Sequence, residues 1–442
     1  MIKDKIDVNI AGGLDVPLPK MVTVHQNFDA PKVADIPELI ESEFSKSEIR
    51  SKVKPGQVIA VGCGSRGIAN IATIAKSVID GLVALGAKPF IFPCMGSHGA
   101  ASAEGQKQVL AGYGISEATM GAPVRATMDT TIVGNLDDGT PVHMDANAAQ
   151  AEGIVVINRI KPHTAFRGAT ESGLTKMLAI GIGKINGATT YHQHGMDVFP
   201  TLLPKVRDVN IKARNVLFGV GIVENAYDET AAIELIPAEQ IGTREPALQE
   251  MAKGNMPRLQ FSEIDVLVIE EMGKNISGAG FDPNITGRNR RIIEWKTDLL
   301  VKKIVVLGLT PESHGNATGI GGADVVTMRL YQDMDVGATY ANVITSMNLD
   351  GAAIPLIMNT DHDAIALAVK TVVRVKPEDC RIVRIRNTLD LAEIEVSEPM
   401  LAEVKARPEC FRIVSPAKTF TFDNAGQLAP LVHGAHLEAA AG

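Results

Sequence analysis

Residues 58–79 read Val58-Ile59-Ala60-Val61-Gly62-Cys63-Gly64-Ser65-Arg66-Gly67-Ile68-Ala69-Asn70-Ile71-Ala72-Thr73-Ile74-Ala75-Lys76-Ser77-Val78-Ile79. A short apolar, mostly β-branched run gives way to a glycine turn. After the turn, Ile68, Ile71, Ile74, Ala75, Val78 and Ile79 recur at helical spacing. The stretch predicts a buried strand, a polar turn and a helix, the unit from which parallel sheets covered by helices are built. Similar apolar runs follow along the chain. Lys88–Phe92 precedes Met95-Gly96-Ser97-His98-Gly99, and Ile154–Asn158 leads into a long polar loop. Further strands are expected at 216–220, 266–269 and 304–307. The fold class expected is α/β: two α/β domains with largely parallel sheets and an active-site cleft between them. Gly254-Asn255-Met256-Pro257 precedes a fresh strand, which places domains at 1–260 and 261–430, with 431–442 as a tail.

Composition narrows the function classes. The 442 residues are 45% hydrophobic and 21% charged, with 4% aromatics, so the cores must be built from aliphatic side chains. A formal net charge of -8 and the absence of a basic stripe argue against nucleic acid or an anionic membrane as partner. No apolar run of signal-peptide type follows Met1, and no stretch reaches the roughly eighteen uncharged apolar residues of a membrane span. Cys63, Cys94, Cys380 and Cys410 are scattered, without a CxxC pair. These features predict a soluble, cytoplasmic protein in a reducing compartment.

In an open α/β sheet, function collects where strands end at the carboxyl edge. Three polar loops here follow strands directly, at 62–67, 94–99 and 158–176. Arg66 stands on the glycine turn, where backbone N–H groups and a guanidinium grip a carboxylate or phosphate together. Of ten histidines, His98, His163, His192 and His194 lie in loops of small and polar residues. Imidazoles in such loops suit acid–base work or metal ligation, while a hydrogen-bonded structural histidine is the plainer alternative. Lys176 ends a run rich in small hydroxyl residues and abuts the apolar Met177–Ile182. A lysine there is a desolvated nucleophile, a phosphate ligand, or a chain snorkelling from a buried helix.

The ordered set Arg66, His98, Lys161-Pro162-His163, Ser172-x-x-x-Lys176 and His192 resembles the lactate racemase family, most strongly over residues 55–200. That resemblance implies an isomerase, a racemase or epimerase of a 2-hydroxy acid. Its cofactor would be a nickel-pincer nucleotide, a pyridinium-3,5-bisthiocarboxylic acid mononucleotide carrying nickel, covalently attached at Lys176, with His192 as the metal ligand. Hydride would pass to and from this cofactor, with His98 and His163 as the two acid–base groups on opposite faces of the substrate. Ser172 would lie by the cofactor's phosphate and Arg66 would help bind cofactor or substrate. Cofactor maturation enzymes would be partners. Two departures stand out. Cys63 replaces an aspartate three positions before the arginine, and the family's Gln and Lys pair on a second-domain helix has no match. Lys274, Asn275 and Arg288 are the substrate contacts expected from the second domain instead, and a 2-hydroxy acid other than lactate is the better expectation. Two other readings stay open. One is a divalent-metal hydrolase using His163, His192 and His194; the other is a binding protein that has kept the scaffold without the chemistry.

Overall fold

The structure, a computed structural model, describes residues 5–64, 67–289, 295 and 297–431. Among them the chain forms fifteen strands: β1 (Met21–Gln26), β2 (Val58–Cys63), β3 (Lys88–Pro93), β4 (Thr130–Asn135), β5 (Pro141–Asp145), β6 (Gly153–Arg159), β7 (Val216–Glu224), β8 (Thr230–Pro237), β9 (Glu263–Met272), β10 (Leu300–Leu309), β11 (Val325–Thr327), β12 (Leu356–Met358), β13 (Ile382–Ile385), β14 (Glu393–Ser397) and β15 (Phe411–Ile413). They fall into two compact units, residues 29–256 and residues 1–28 with 257–442. Both are α/β with largely parallel sheets.

In the 29–256 unit the sheet order is β3-β2-β6-β7-β8. The first four strands are mutually parallel and β8 closes the edge antiparallel to β7. Alternation along the strands divides the core in two, as a two-residue period requires. Val155 and Ile157 of β6 join Ile59 and Val61 of β2 under helices Ile36–Ser45 and Ile71–Ala84. Ile154 and Val156 face the other way, into a cluster with Leu174, Met177, Leu178 and Leu248. The chain leaves β2 toward β3 on one side, while β6 flanks β2 on the other. Strand order therefore reverses between β2 and β6, and the loops after these two strands border the switch point where doubly wound sheets bind ligands.

Gly219 of β7 fixes how the next layer sits. A Cβ there would fall 2.7 Å from Leu174 Cδ1, so only glycine lets the buried Leu174 press onto the sheet. Burial of that one side chain contributes about 1.5–3 kcal/mol. It also places Lys176, two residues on, beside the carboxyl edge.

In the other unit the order is β12-β11-β10-β9-β13-β14-β1-β15. The first five strands are parallel, and β14, β1 and β15 are each antiparallel to their neighbours. The break after Met256 lies close to the expected one, but residues 1–28 belong to this unit rather than to the first domain. The reason is β1, whose Met21, Val22 and Val24 are buried between two strands contributed from the far end of the chain. Of the expected tail, residues 432–442 lie outside the described residues. No described helix is long and apolar enough to cross a membrane.

Val24 is fully buried, so Val24→Ala should cost about 1–3 kcal/mol. Hydrogen exchange should show faster opening of β14 and β15 with β2 and β6 unchanged. Uniform loss of protection through both sheets would contradict the division.

Candidate active site at the carboxyl edge of the first sheet

The loop after β6 is pinned at both ends. Ser172 Oγ accepts from Lys161 N–H at 3.0 Å and donates to Lys161 O at 2.6 Å, so it closes the loop on itself. Within the loop the buried Glu171 carboxylate accepts from the backbone N–H of His163 at 2.9 Å and pairs with Arg167 and Lys253, both at 3.2 Å. Gly173 has a φ of +99°, and a Cβ there would strike Glu245 Oε1 at 2.5 Å. Its carbonyl accepts from Asn158 Nδ2 at 3.0 Å, which ties the loop back to β6.

Thr175, next to Lys176, is held from below. Glu245 accepts from its N–H at 3.0 Å and its hydroxyl at 2.5 Å, while Arg207 donates to the same hydroxyl at 3.0 Å. Burial pushes the Glu245 carboxyl up to about 7, against the pull of the Thr175 bonds and Arg207.

Lys176 ends a short helical turn, and Met177–Gly181 then forms a π turn closed by Ile182 N–H donating to Met177 O at 2.9 Å. Such wide turns are frequent at functional sites. At Lys184 the backbone is left-handed, with φ of 53°, and helix Lys184–His192 begins. The wholly buried Lys184 ammonium lies 3.0 Å from Asp145 Oδ2, donates to Gln106 Oε1 at 2.9 Å, and also meets Pro93 O. Burial raises the Asp145 carboxyl above its ordinary range, more than Lys184 and two backbone donors lower it.

Lys176, His163 and His192 share this corner. Lys176 Nζ lies 2.8 Å from His163 Nε2. Phe166 and Phe199 connect the two histidines. His163 packs on Phe166 at 4.4 Å between centroids, Phe166 on Phe199 at 5.6 Å, and Phe199 on His192 at 5.1 Å. His192 Nδ1 donates to Ala188 O at 2.6 Å, which fixes the tautomer and leaves the Nε2 lone pair for a ligand. Burial lowers the His192 pKa, more than the bond to Ala188 O raises it, so the ring stays neutral.

The other expected residues fall as follows. His98 is exposed on the loop after β3, and that loop is fastened to the π turn by Gly96 N–H donating to Gly181 O at 3.0 Å. Arg66 lies outside the described residues; Gly64, two positions earlier in sequence, abuts Asn158 and Met177. His194 turns away, its Nε2 3.3 Å from Thr140 Oγ1 on the β4–β5 hairpin. Cys63 is buried, and burial pushes its thiol up to about 12, which makes it a packing residue and no nucleophile. In the other unit Lys274 Nζ donates to Gly278 O at 2.7 Å and Asn342 Oδ1 at 2.9 Å, and Asn275 Oδ1 accepts from Thr310. Arg288 is engaged by Asp324 at 2.6 Å and by two backbone carbonyls. These groups tie together the loops beyond β9 and β10.

Glu245, Arg207, Lys184 and Asp145 went unread in the sequence. Glu245 and Arg207 each sit on a helix whose pattern looks ordinary, and only the fold brings them to Thr175. The one local signal for Lys184 is its place between Gly183 and Gly187, which interrupt a helical run.

The class so defined is a two-unit α/β protein with a lysine–histidine site at the switch point of a parallel sheet. No family model matches the chain, and no curated protein does. Among solved structures it is similar to the lactate racemase apoprotein from Thermoanaerobacterium thermosaccharolyticum. The identity is 11%, the match covers 83% of this chain and 94% of that chain, and the TM-score is 0.49.

Glu245 binds a proton in the folded protein up to about pH 7 but only up to about 4.5 when unfolded. Its contribution is therefore present below the unfolded value and is lost as pH rises toward 7. Glu245→Gln should gain stability relative to the parent between pH 5 and pH 8, measured as the shift in urea midpoint. A difference independent of pH would show that Glu245 is ionised throughout.

Proposed function

We propose that the chain is an isomerase that inverts the hydroxyl-bearing carbon of a 2-hydroxy acid, with a nickel-pincer nucleotide carried on Lys176 and ligated by His192. The observation that carries this reading is the His192 tautomer. Its Nδ1 proton is committed to Ala188 O, so in the neutral ring Nε2 keeps its lone pair. A neutral imidazole nitrogen suits nickel, and a half-buried amine beside it suits a covalent tether. The ordered resemblance of residues 55–200 to the lactate racemase family supports the same assignment.

When bound, the cofactor would supply the means to accept hydride from the substrate carbon and return it. The chain's own part is to hold the substrate and manage its protons. His163 and His98 are the proposed proton carriers, on the loops after β6 and β3, and a neutral imidazole can take the hydroxyl proton and give it back. Two carriers match a reaction in which both faces of a planar keto acid are used. Arg66, in the segment that follows β2 in sequence, is the proposed partner of the substrate carboxylate. Ser172, bonded both ways to Lys161, would act by shaping the loop. Lys274, Asn275 and Arg288 remain candidate substrate contacts only if their present bonds exchange for substrate.

The hydrolase alternative needs His163, His192 and His194 to converge with carboxylates. His194 faces Thr140 instead, and among the described residues no group of three His, Cys, Asp or Glu side chains is placed to hold a metal ion.

The chain produced alongside the cofactor's maturation enzymes should carry an adduct on the Lys176 peptide by mass spectrometry, bind nickel, and interconvert the enantiomers of a 2-hydroxy acid in a chiral panel. His192→Ala should keep the adduct and lose most of the nickel. An unmodified Lys176, where a known lactate racemase is loaded in parallel, would contradict the proposal.

A further inference from the structure

The contact between Lys176 and His163 has a polarity set by a third group. Ala165 N–H points at His163 Nδ1 from 3.1 Å. A backbone amide can only donate, so Nδ1 must present its lone pair and cannot carry a proton. In a neutral imidazole the proton then sits on Nε2, and Nε2–H faces Lys176 Nζ at 2.8 Å. An ammonium has three donors and no acceptor. Facing Nε2–H it would set proton against proton, whereas an unprotonated amine accepts the bond with its lone pair.

We infer that His163, oriented by the Ala165 amide, holds Lys176 as a neutral amine, so that the lysine is a primed nucleophile for an acyl, thioacyl or carbonyl carbon. This goes beyond the proposed function and does not depend on it, because the nucleophile exists whichever electrophile reaches it.

The surroundings agree with an uncharged amine. The Glu171 carboxylate on the His163 loop is matched by Arg167 and Lys253. Glu245, under Thr175, is pushed toward its protonated form and shares Thr175 with Arg207. His192, across Phe199, is kept neutral by burial; with Lys176 uncharged, burial alone continues to act on it.

The arrangement also gives His163 two successive tasks under the proposed function. Acylation turns the Lys176 amine into an amide, whose nitrogen donates but no longer accepts. The bond that occupies Nε2–H is then lost, and the ring is released to serve the substrate. A histidine that primes its own lysine would thus become available only after the lysine has been loaded.

The test uses the chain as it is, with 4-nitrophenyl acetate as electrophile. Lys176 Nζ forms a bond to the acetyl carbon, the ester C–O bond breaks, 4-nitrophenolate leaves, and the surplus proton on nitrogen goes to solvent. Peptide mass spectrometry reads the acetylation rate of Lys176 against pH, with the exposed Lys107 as internal reference. The rate should be half-maximal below about pH 8.5, compared with about 10.4 for an unperturbed lysine. His163→Phe keeps a ring against Phe166 but removes both nitrogens, and it should raise that midpoint by about one unit or more. The wild-type midpoint alone decides the matter if the variant does not fold. A midpoint near 10, no acetylation at Lys176, or a midpoint that His163→Phe leaves in place would overturn the inference. Loss of nickel-cofactor loading with the low midpoint retained would count against the proposed function alone.

Discussion

The buried ion pair between Lys184 and Asp145 is the constraint on which the candidate site depends. Lys176 and His192 are sixteen positions apart, which a straight helix would make about 24 Å. They act on one another only because the helix widens at Met177–Gly181 and breaks at Lys184. A non-glycine residue at positive φ costs about 1–2 kcal/mol, and placing its ammonium out of contact with water costs more. Both costs are offset by the Asp145 carboxylate 3.0 Å away and by hydrogen bonds to Gln106 and Pro93 O. Asp145 ends β5 and Pro93 ends β3, so the break is fastened to the hairpin and to the sheet at once.

From that anchor the remaining geometry follows in sequence. Gly219 admits Leu174 to the sheet, Glu245 and Arg207 hold Thr175, and the Lys176 side chain emerges at the switch point. Ala188, one turn before His192, then fixes the tautomer of that ring, as Ala165 fixes the tautomer of His163. In both cases a backbone group, which cannot change its role as donor or acceptor, decides which ring nitrogen has a lone pair. The chemistry of the corner is set by the main chain through hydrogen bonds of 2.6 and 3.1 Å. The aromatic pair Phe166 and Phe199 keeps the two imidazoles in place.

Much of this could be read before any coordinates. The strands β2, β3, β6, β7, β9 and β10 announce themselves as β-branched runs ending in polar turns, because a strand covered on both faces must be apolar at every position. The polar loops after β2, β3 and β6 stand out by contrast with those runs. β1 was not legible, since its six residues find partners in β14 and β15 more than 360 positions away, and no local pattern reports such a pairing. Lys184 looks like any helix-surface lysine in sequence; its burial is decided by Asp145, Gln106 and Pro93, none of them nearby in the chain. The family resemblance implies a place for Ser172 by the cofactor's phosphate, while its hydroxyl bonds both ways to Lys161 and closes a loop. That distinction depends on where the Lys161 backbone lies.

The central claim is that backbone contacts select opposite tautomers in two neighbouring histidines, one poised to ligate a metal and one to keep a lysine unprotonated. Long-range nitrogen–carbon NMR correlation of the histidine rings, in protein labelled at histidine and held near neutral pH, reads the protonated nitrogen of each ring directly. His192 should be protonated at Nδ1 alone and His163 at Nε2 alone. The reverse tautomer at either ring, or a doubly protonated His163, would contradict the account.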